Sequence, residues 1–552
     1  MDLQPEPAGA NAGAPPVPAI SRSAAIAQLW TTIFLAGALA TLAVPVLLVA
    51  IPPLLDYPNH LVRLWLIAGG AENPPLAKMY AVSWGSAHTN VGIDYLGALL
   101  GRLIPAVPLG SFFVVLALVL PPLGALALHR AVFGGLHWCQ IGFLFFAWNA
   151  TLLAGFLNFH IGVGLALLGA ALEPRLAHTS PLARLCARLA TGALVLIVHF
   201  FALFYYCALL AGLAFGRDSI AFGNWRALAA RATAAIPAAG SAAIPAVVFV
   251  VLSPSLPGAH VDALGNAPLW DFSAYNKGHV LLSPIVTYAL WLDVLLAGAI
   301  AAPVLWAMLV GRLEAHAGLV LTAGALIALA LAAPTAVSGT WWIDNRFPLM
   351  ALLALLAGLR PGLELSSAAR LAMAALLALV VTGRTAWIGS IWKQRQADIG
   401  AVYQAVRQVP PGSAVLPLDH IDDAAGAAAH PLGRYFHNGH PAHWSYSVLV
   451  IMWRQAFVPN LFWAAGKQPL RVLPPWDQIS FPEDGLLPAV ALADPSQTPT
   501  HFRAWRQRYD YVLLLNADVG KGVDLSALPE LRLERDEGFA RLYRIAKAVP
   551  TN

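Results

Sequence analysis

The segment Asp56-Tyr57-Pro58-Asn59-His60 places a carboxylate and an imidazole four residues apart, the spacing of neighbours on one helix face. Asp94 lies in NVGIDYLG, Asn158 and His160 in GFLNFHIG, and His199 in VHFFALFYY. Asp271, Tyr275, Lys277 and His279 share one stretch, and WWIDNRFP brings Trp341, Trp342, Asp344, Asn345 and Arg346 together. These residue types suit transfer of a group from a phosphate to a hydroxyl. A carboxylate can take the proton of the attacking hydroxyl, and cations stabilise the phosphate as charge develops on it. Arg346 and Lys277 are the candidates for that second task, Arg346 because a guanidinium fork matches two phosphate oxygens. Trp342 and its aromatic neighbours can stack on a sugar face or border a lipid groove. Two readings of Asp56 stand side by side, a helix N-cap and a catalytic acid.

The elements that must hold these residues are set by composition. Of 552 residues, 59% are hydrophobic and 11% charged, against about 25% charged in soluble domains. The mean hydropathy is +0.67, and the apolar residues fall in long blocks, so an integral membrane protein is expected. Residues 1–23 read as a disordered, Pro/Ala/Gly-rich lead-in on the cytoplasmic side. The block Ala24–Ile51 is too long for a signal peptide and reads as an uncleaved first span. Further blocks lie near 111–128, 138–154, 157–173, 189–200 with 201–215, 232–252, 285–310, 318–334, 347–359 and 371–389. The run 187–215 reads as one tilted helix or as two broken near His199. Counting two gives eleven spans. Arg130, Arg175, Arg184, Arg188, Arg217, Arg226, Arg231, Arg312, Arg360 and Arg370 then fall in cytoplasmic loops, as short-loop charge bias requires. The candidate site residues all fall at the opposite face. There Asp56 opens a first external loop, 52–110, with a helix from Pro58 to Gly69-Gly70 whose Leu61, Leu64, Trp65 and Ala68 face the bilayer surface.

From Ile391 the composition becomes polar, and 391–552 reads as an extracytoplasmic α/β domain. Its expected strands are Ser413–Leu418, Tyr509–Asn516 and Phe539–Ile545, with a helix closing over Gln404–Gln408. Cys139, Cys186 and Cys207 read as packing residues in or near the membrane or cytoplasm. Asn149-Ala150-Thr151 fits the glycosylation sequon but sits in an apolar block. His430, His437, His440 and His443 lie close together but lack regular ligand spacing, so no metal site is assigned to them. The basic residues form no nucleic-acid stripe. A GxxxxGK[ST] loop is missing from the sequence, which argues against an ATP-driven pump.

An acid after the first span, an interfacial helix in the first external loop, about eleven helices and an external α/β domain together resemble the GT-C glycosyltransferases. DYPNHLVR, NVGIDYL, GFLNFHIG, VHFFALFYY and DNRFP carry the resemblance, which includes the protein O-mannosyltransferases and the aminoarabinose transferases. It implies a polyprenyl-phosphate-linked sugar donor, a glycan, lipid or protein acceptor, and inverting transfer at the periplasmic face of a bacterial inner membrane. Asp56 matches the first-loop acid, the implied general base, and His60 or Asp94 would serve as a second polar group. The resemblance allows a divalent metal as cofactor, but many members carry a second acid beside the first, where Tyr57 stands here, and that departure leaves the acid unpaired and argues against metal-assisted catalysis. Arg346, Lys277, Asp344, Asn158, His160, His199 and Trp342 are the expected substrate contacts. Two alternatives accompany this reading: a transporter or flippase of lipid-linked or polar solutes, and a non-catalytic protein of envelope polysaccharide assembly.

Overall fold

A computed structural model describes residues 22–547 apart from 88, 219–223, 253–266, 338–339, 421–429, 465, 482–485, 495, 497, 500–501 and 520–521. The expected lead-in therefore lies, up to residue 21, outside the described residues. The chain is a multi-pass helical membrane protein with a C-terminal sheet domain. Seven described helices are long and apolar enough to cross a bilayer, and four shorter apolar segments accompany them at Trp138–Leu153, Phe200–Phe215, Ala317–Ala332 and Arg346–Gly358. These eleven segments coincide with the eleven apolar blocks of the sequence.

In chain order the main helices are α1 (Arg22–Leu42), α2 (Tyr57–Ile67), α3 (Gly92–Leu100), α4 (Ala106–Phe133), α5 (Leu157–Leu176), α6 (Pro181–Val198), α7 (Phe200–Phe215), α8 (Trp225–Leu252), α9 (Ala274–Leu282), α10 (Leu290–Leu309), α11 (Ala317–Ala332), α12 (Arg346–Gly358) and α13 (Ser367–Val406). Leu172, Val251, Trp291, Leu295, Leu309 and Leu379 stay exposed, as side chains facing lipid rather than water do. The 187–215 run is two helices. His199 ends α6 and its Nδ1 accepts the Phe201 amide at 3.2 Å, which caps α7 and fixes the break. The stretch before Pro284 is not a plain loop, because α9 carries Tyr275, Lys277 and His279.

The third apolar block departs from a regular span. It folds as a 3-10 helix, Trp138–Ala147, followed by a short α-turn, Ala150–Leu153. Irregular backbone at membrane depth needs partners inside the protein. Arg384 of α13 supplies them, donating to the carbonyls of Phe145 and Trp148 at 2.8 and 3.0 Å, while Asp293 of α10 balances its charge at 2.7 Å. Asn149 of the sequon is buried and caps the short turn through the Leu152 amide.

Helix α13 has 40 residues and is about 60 Å long at 1.5 Å per residue, twice a hydrocarbon core of about 30 Å. The compositional change at Ile391 thus falls within a continuous helix, whose far half packs against the C-terminal sheet. That sheet contains β1 (Val415–Asp419), β2 (Leu487–Pro488), β3 (Tyr511–Leu515), β4 (Leu531–Asp536) and β5 (Ala540–Ile545), in the order β4-β5-β3-β1-β2. β1 is parallel to β2 and β3, and β3-β5-β4 are antiparallel. Every residue of β1 and β3 is buried, which is why both read as continuous apolar runs rather than alternating ones. The three strands expected from sequence correspond to β1, β3 and β5. A further two-stranded ladder, Tyr80–Val82 with Leu470–Val472, ties the first loop to this domain.

Candidate functional site

The site is assembled where α2 starts. The Leu55 and Asp56 amides bond to the carbonyls of Leu153 and Ala154 at 2.9 and 3.2 Å. Gly155 follows with φ +86°, and a Cβ there would lie 2.9 Å from the Asp56 nitrogen and 3.0 Å from its Cβ. Only glycine accommodates that approach. Asp56 is the N-cap residue of α2 by position, yet its carboxylate makes no capping bond, and Pro58 occupies the first turn. The carboxylate is half-buried and interacts electrostatically with Arg346.

His60 and Asp94, expected to supply a second polar group, lie behind Asp56 in a closed chain. Arg63 pairs with Asp94 at 2.6 Å, with side chains 1% and 0% exposed. Arg63 Nη2 donates to His60 Nδ1 at 3.0 Å, and His60 Nε2 meets the Gly155 carbonyl at 3.1 Å. The imidazole is therefore the neutral Nε2–H form, with its lone pair taken by Arg63. Burial, and then the Arg63 cation, hold its pKa well below the usual histidine range. This chain orients the helix that carries Asp56. Helix α2 also departs from the expected surface helix, because Leu61 and Leu64 are buried within the protein. Asn59 is buried, donating to Ser445 Oγ at 3.0 Å and accepting from the Phe462 amide at 2.9 Å, so the polar face docks into the C-terminal domain.

The other expected contacts separate into two groups. Arg346 interacts electrostatically with Asp56, and Trp342 joins it through its carbonyl. Arg346 donates to the Trp341 and Trp342 carbonyls at 2.8 Å each, sits between the Phe156 and Phe201 rings, and leaves Nε without a partner among the described residues. Trp342 has φ +59°, an uncommon conformation for a bulky residue, and its ring meets Phe156 and His440. The remainder serve as supports. Lys277, expected as a second free cation, gives its ammonium to Asp344 at 2.8 Å and to the Ala333 and Ala330 carbonyls at 3.1 and 3.4 Å. Asp344 is fully buried and also accepts from Thr335 and the Asn345 amide. Asn158 holds the start of α3 through the Ile93 amide and the Asn90 carbonyl at 3.0 and 2.8 Å. His160 meets Thr151 at 2.9 Å, and His199 caps α7.

Above these residues the loop from His430 to Trp444 folds over the membrane helices. A narrow cleft separates the two, with Leu153, Ser283, Trp342 and Asn345 below and Phe436 and His437 above. Gly433, at φ +87°, lets the loop lie directly on Ile391 and Arg395 of α13. His437 stacks near His279 at 5.0 Å, and His440 lies 5.1 Å from Trp342. Burial lowers the pKa of both, and the neighbouring His279 adds to the effect on His437. The loop histidines thus point to different partners, and among the described residues no three His, Cys, Asp or Glu groups are arranged to hold a metal ion. Gly155 and Phe156 escaped the sequence reading. Their signal was only the turn GFLN, and its importance depends on what packs against it.

No protein-family model matches the sequence, and no match exists among curated proteins. Among solved structures the chain is similar to the crystal structure of ArnT from Cupriavidus metallidurans bound to undecaprenyl phosphate. The likeness covers 94% of this chain and 98% of that one, with 11% identity and a TM-score of 0.49. It is a likeness of overall shape alone.

Proposed function

We propose that the protein transfers a sugar from a polyprenyl-phosphate donor to a hydroxyl of a glycan, lipid or protein, with inversion, at the membrane face covered by its C-terminal domain. That face would be the periplasmic one of a bacterial inner membrane. The observation that carries the reading is the half-buried Asp56 carboxylate within electrostatic reach of Arg346, which in turn bonds to the carbonyl of Trp342, a residue lining the cleft between membrane helices and an overhanging loop. In the reaction Asp56 accepts the proton of the acceptor hydroxyl. The oxygen attacks the anomeric carbon from the side opposite the phosphate, the carbon–phosphate oxygen bond breaks, and the lipid phosphate leaves as an anion. Arg346 stabilises that charge. Aromatic groups of the cleft, Trp342 and Phe436, exclude water and border the sugar.

The test uses the full chain in nanodiscs and undecaprenyl phosphate with its monosaccharide adducts as probes. Native mass spectrometry should show selective retention of these lipids by the wild type and their loss in Arg346→Ala. Asp56→Asn should keep the lipid while abolishing formation of free undecaprenyl phosphate. Retained turnover in Asp56→Asn removes the assignment of the base, and failure of the wild type to retain any polyprenyl phosphate removes the reading.

A further inference from the structure

A second polar cluster lies in the C-terminal domain, built on different residues from the Asp56 site. In the order β2-β1-β3 the chain leaves β1 toward one side and later enters β3 on the other. Such a reversal opens a crevice beyond the carboxyl ends of the two parallel strands, the common ligand position in open α/β sheets. Asp419 ends β1 and His420 follows it, while Asn516 and Asp518 follow β3. The loop over the domain adds His430, Arg434, Tyr435 and His443.

The bonding within this cluster is incomplete in a selective way. Arg434 is saturated by both oxygens of Asp398 at 2.9 and 3.1 Å and both of Asp518 at 2.6 and 2.8 Å. Asn516 accepts from Arg434 at 3.2 Å and donates to the Tyr435 hydroxyl at 3.1 Å. His443 Nε2 meets one Asp419 oxygen at 3.2 Å. Left without a hydrogen-bond partner among the described residues are Asp419 Oδ1, His443 Nδ1, His420 Nδ1 and both ring nitrogens of His430. Buried polar atoms are nearly always paired, so five atoms without a partner among the described residues, gathered at the strand ends, point to a missing partner. Asp518 is 34% exposed at its side chain, and His430 and Tyr435 are half-buried, which gives the cluster an opening.

The chemistry of the cluster narrows the partner. The described residues offer no three-ligand metal geometry. An anion is disfavoured, because two carboxylates already neutralise the guanidinium and Asp419 adds another negative charge. Hydroxyl groups fit. A carboxylate oxygen accepts from them, and imidazole nitrogens donate or accept. The rings of Tyr435 and His430, 4.5 Å apart, offer flat faces beside these polar atoms. We propose that the crevice at the ends of β1 and β3 binds an uncharged, polyhydroxylated ring, a sugar residue, through Asp419, His430 and His443. This binding is independent of Asp56 and of any transfer reaction.

The test is a printed array of neutral, sialylated and phosphorylated oligosaccharides probed with the full-length protein in labelled nanodiscs. The wild type should retain a subset of neutral glycans. Asp419→Asn and His430→Ala should lower that signal at least tenfold, and Asp56→Asn should bind as the wild type does even where transfer is lost. His430→Ala removes no hydrogen bond among the described residues, so it decides the matter if Asp419→Asn fails to fold. Binding of charged glycans only, no glycan binding, unchanged binding in His430→Ala, or loss of binding in Asp56→Asn each overturns the assignment.

Discussion

Replacing Arg63 with methionine removes a cation that is 1% exposed and strands the fully buried Asp94 carboxylate it faces. Breaking a buried ion pair from one side costs about 3–5 kcal/mol, because the remaining charge has been taken out of water without compensation. The hydrogen bond to His60 Nδ1 goes as well, a loss of about 1 kcal/mol that is not strictly additive. Removing both charges in Arg63→Met with Asp94→Leu takes away the stranded carboxylate, so the double variant should lie within about 2 kcal/mol of the wild type. The assay is reversible unfolding in mixed micelles followed by tryptophan fluorescence, with Arg63→Met, Asp94→Leu and the double variant compared in one detergent series. The double variant should be more stable than Arg63→Met alone. If Arg63→Met costs less than about 1 kcal/mol, or if the double variant is as unstable as the two single losses summed, the pair is not buried as described and the support of α2 must be reassigned.

Gly155→Ala should leave the protein folded but lower transfer strongly, since a Cβ would meet the Asp56 nitrogen at 2.9 Å in a left-handed conformation that costs a non-glycine residue about 1–2 kcal/mol; turnover measured beside melting temperature checks this. Arg434→Met should loosen the sheet domain from α13 by removing the bridge from Asp398 to Asp518, leaving Asp398 with Arg395 alone at 2.7 Å; limited proteolysis should cut the domain sooner, and an unchanged digestion rate would contradict the clamp. His60 is held neutral in the folded protein with its pKa lowered, whereas the unfolded chain takes up a proton below about 6.5. Stability should therefore be fully present above that pH and fall as the pH drops toward the depressed folded value. His60→Gln should flatten this part of the unfolding profile, while an identical profile in that variant would locate the titration elsewhere.

Features that depend on local composition were legible in the sequence. The apolar blocks mark the membrane segments because burial in lipid demands about 20 apolar residues wherever a long helix crosses. The limits of α2 were readable from Asp56 and Pro58 at its start and Gly69-Gly70 at its end, and the central strands from the uninterrupted runs VLPL and YVLLL. The type and place of Asp56 and Arg346 could be read in the same way. Roles that depend on which partner a charge finds could not. Lys277 and Arg346 are both cations in the sequence, but Asp344 and two carbonyls saturate the first, while the second borders Asp56. Arg63 lies on the helix expected at the membrane interface, and only the fold makes it a buried counter-ion. Arg384 and Asp293 drew no attention, yet they supply the partners for the irregular third segment. Hydropathy and helix signals act over a few residues and survive in one dimension. Ion pairing and burial are set by contacts between residues tens to hundreds of positions apart, and only the folded chain brings those together.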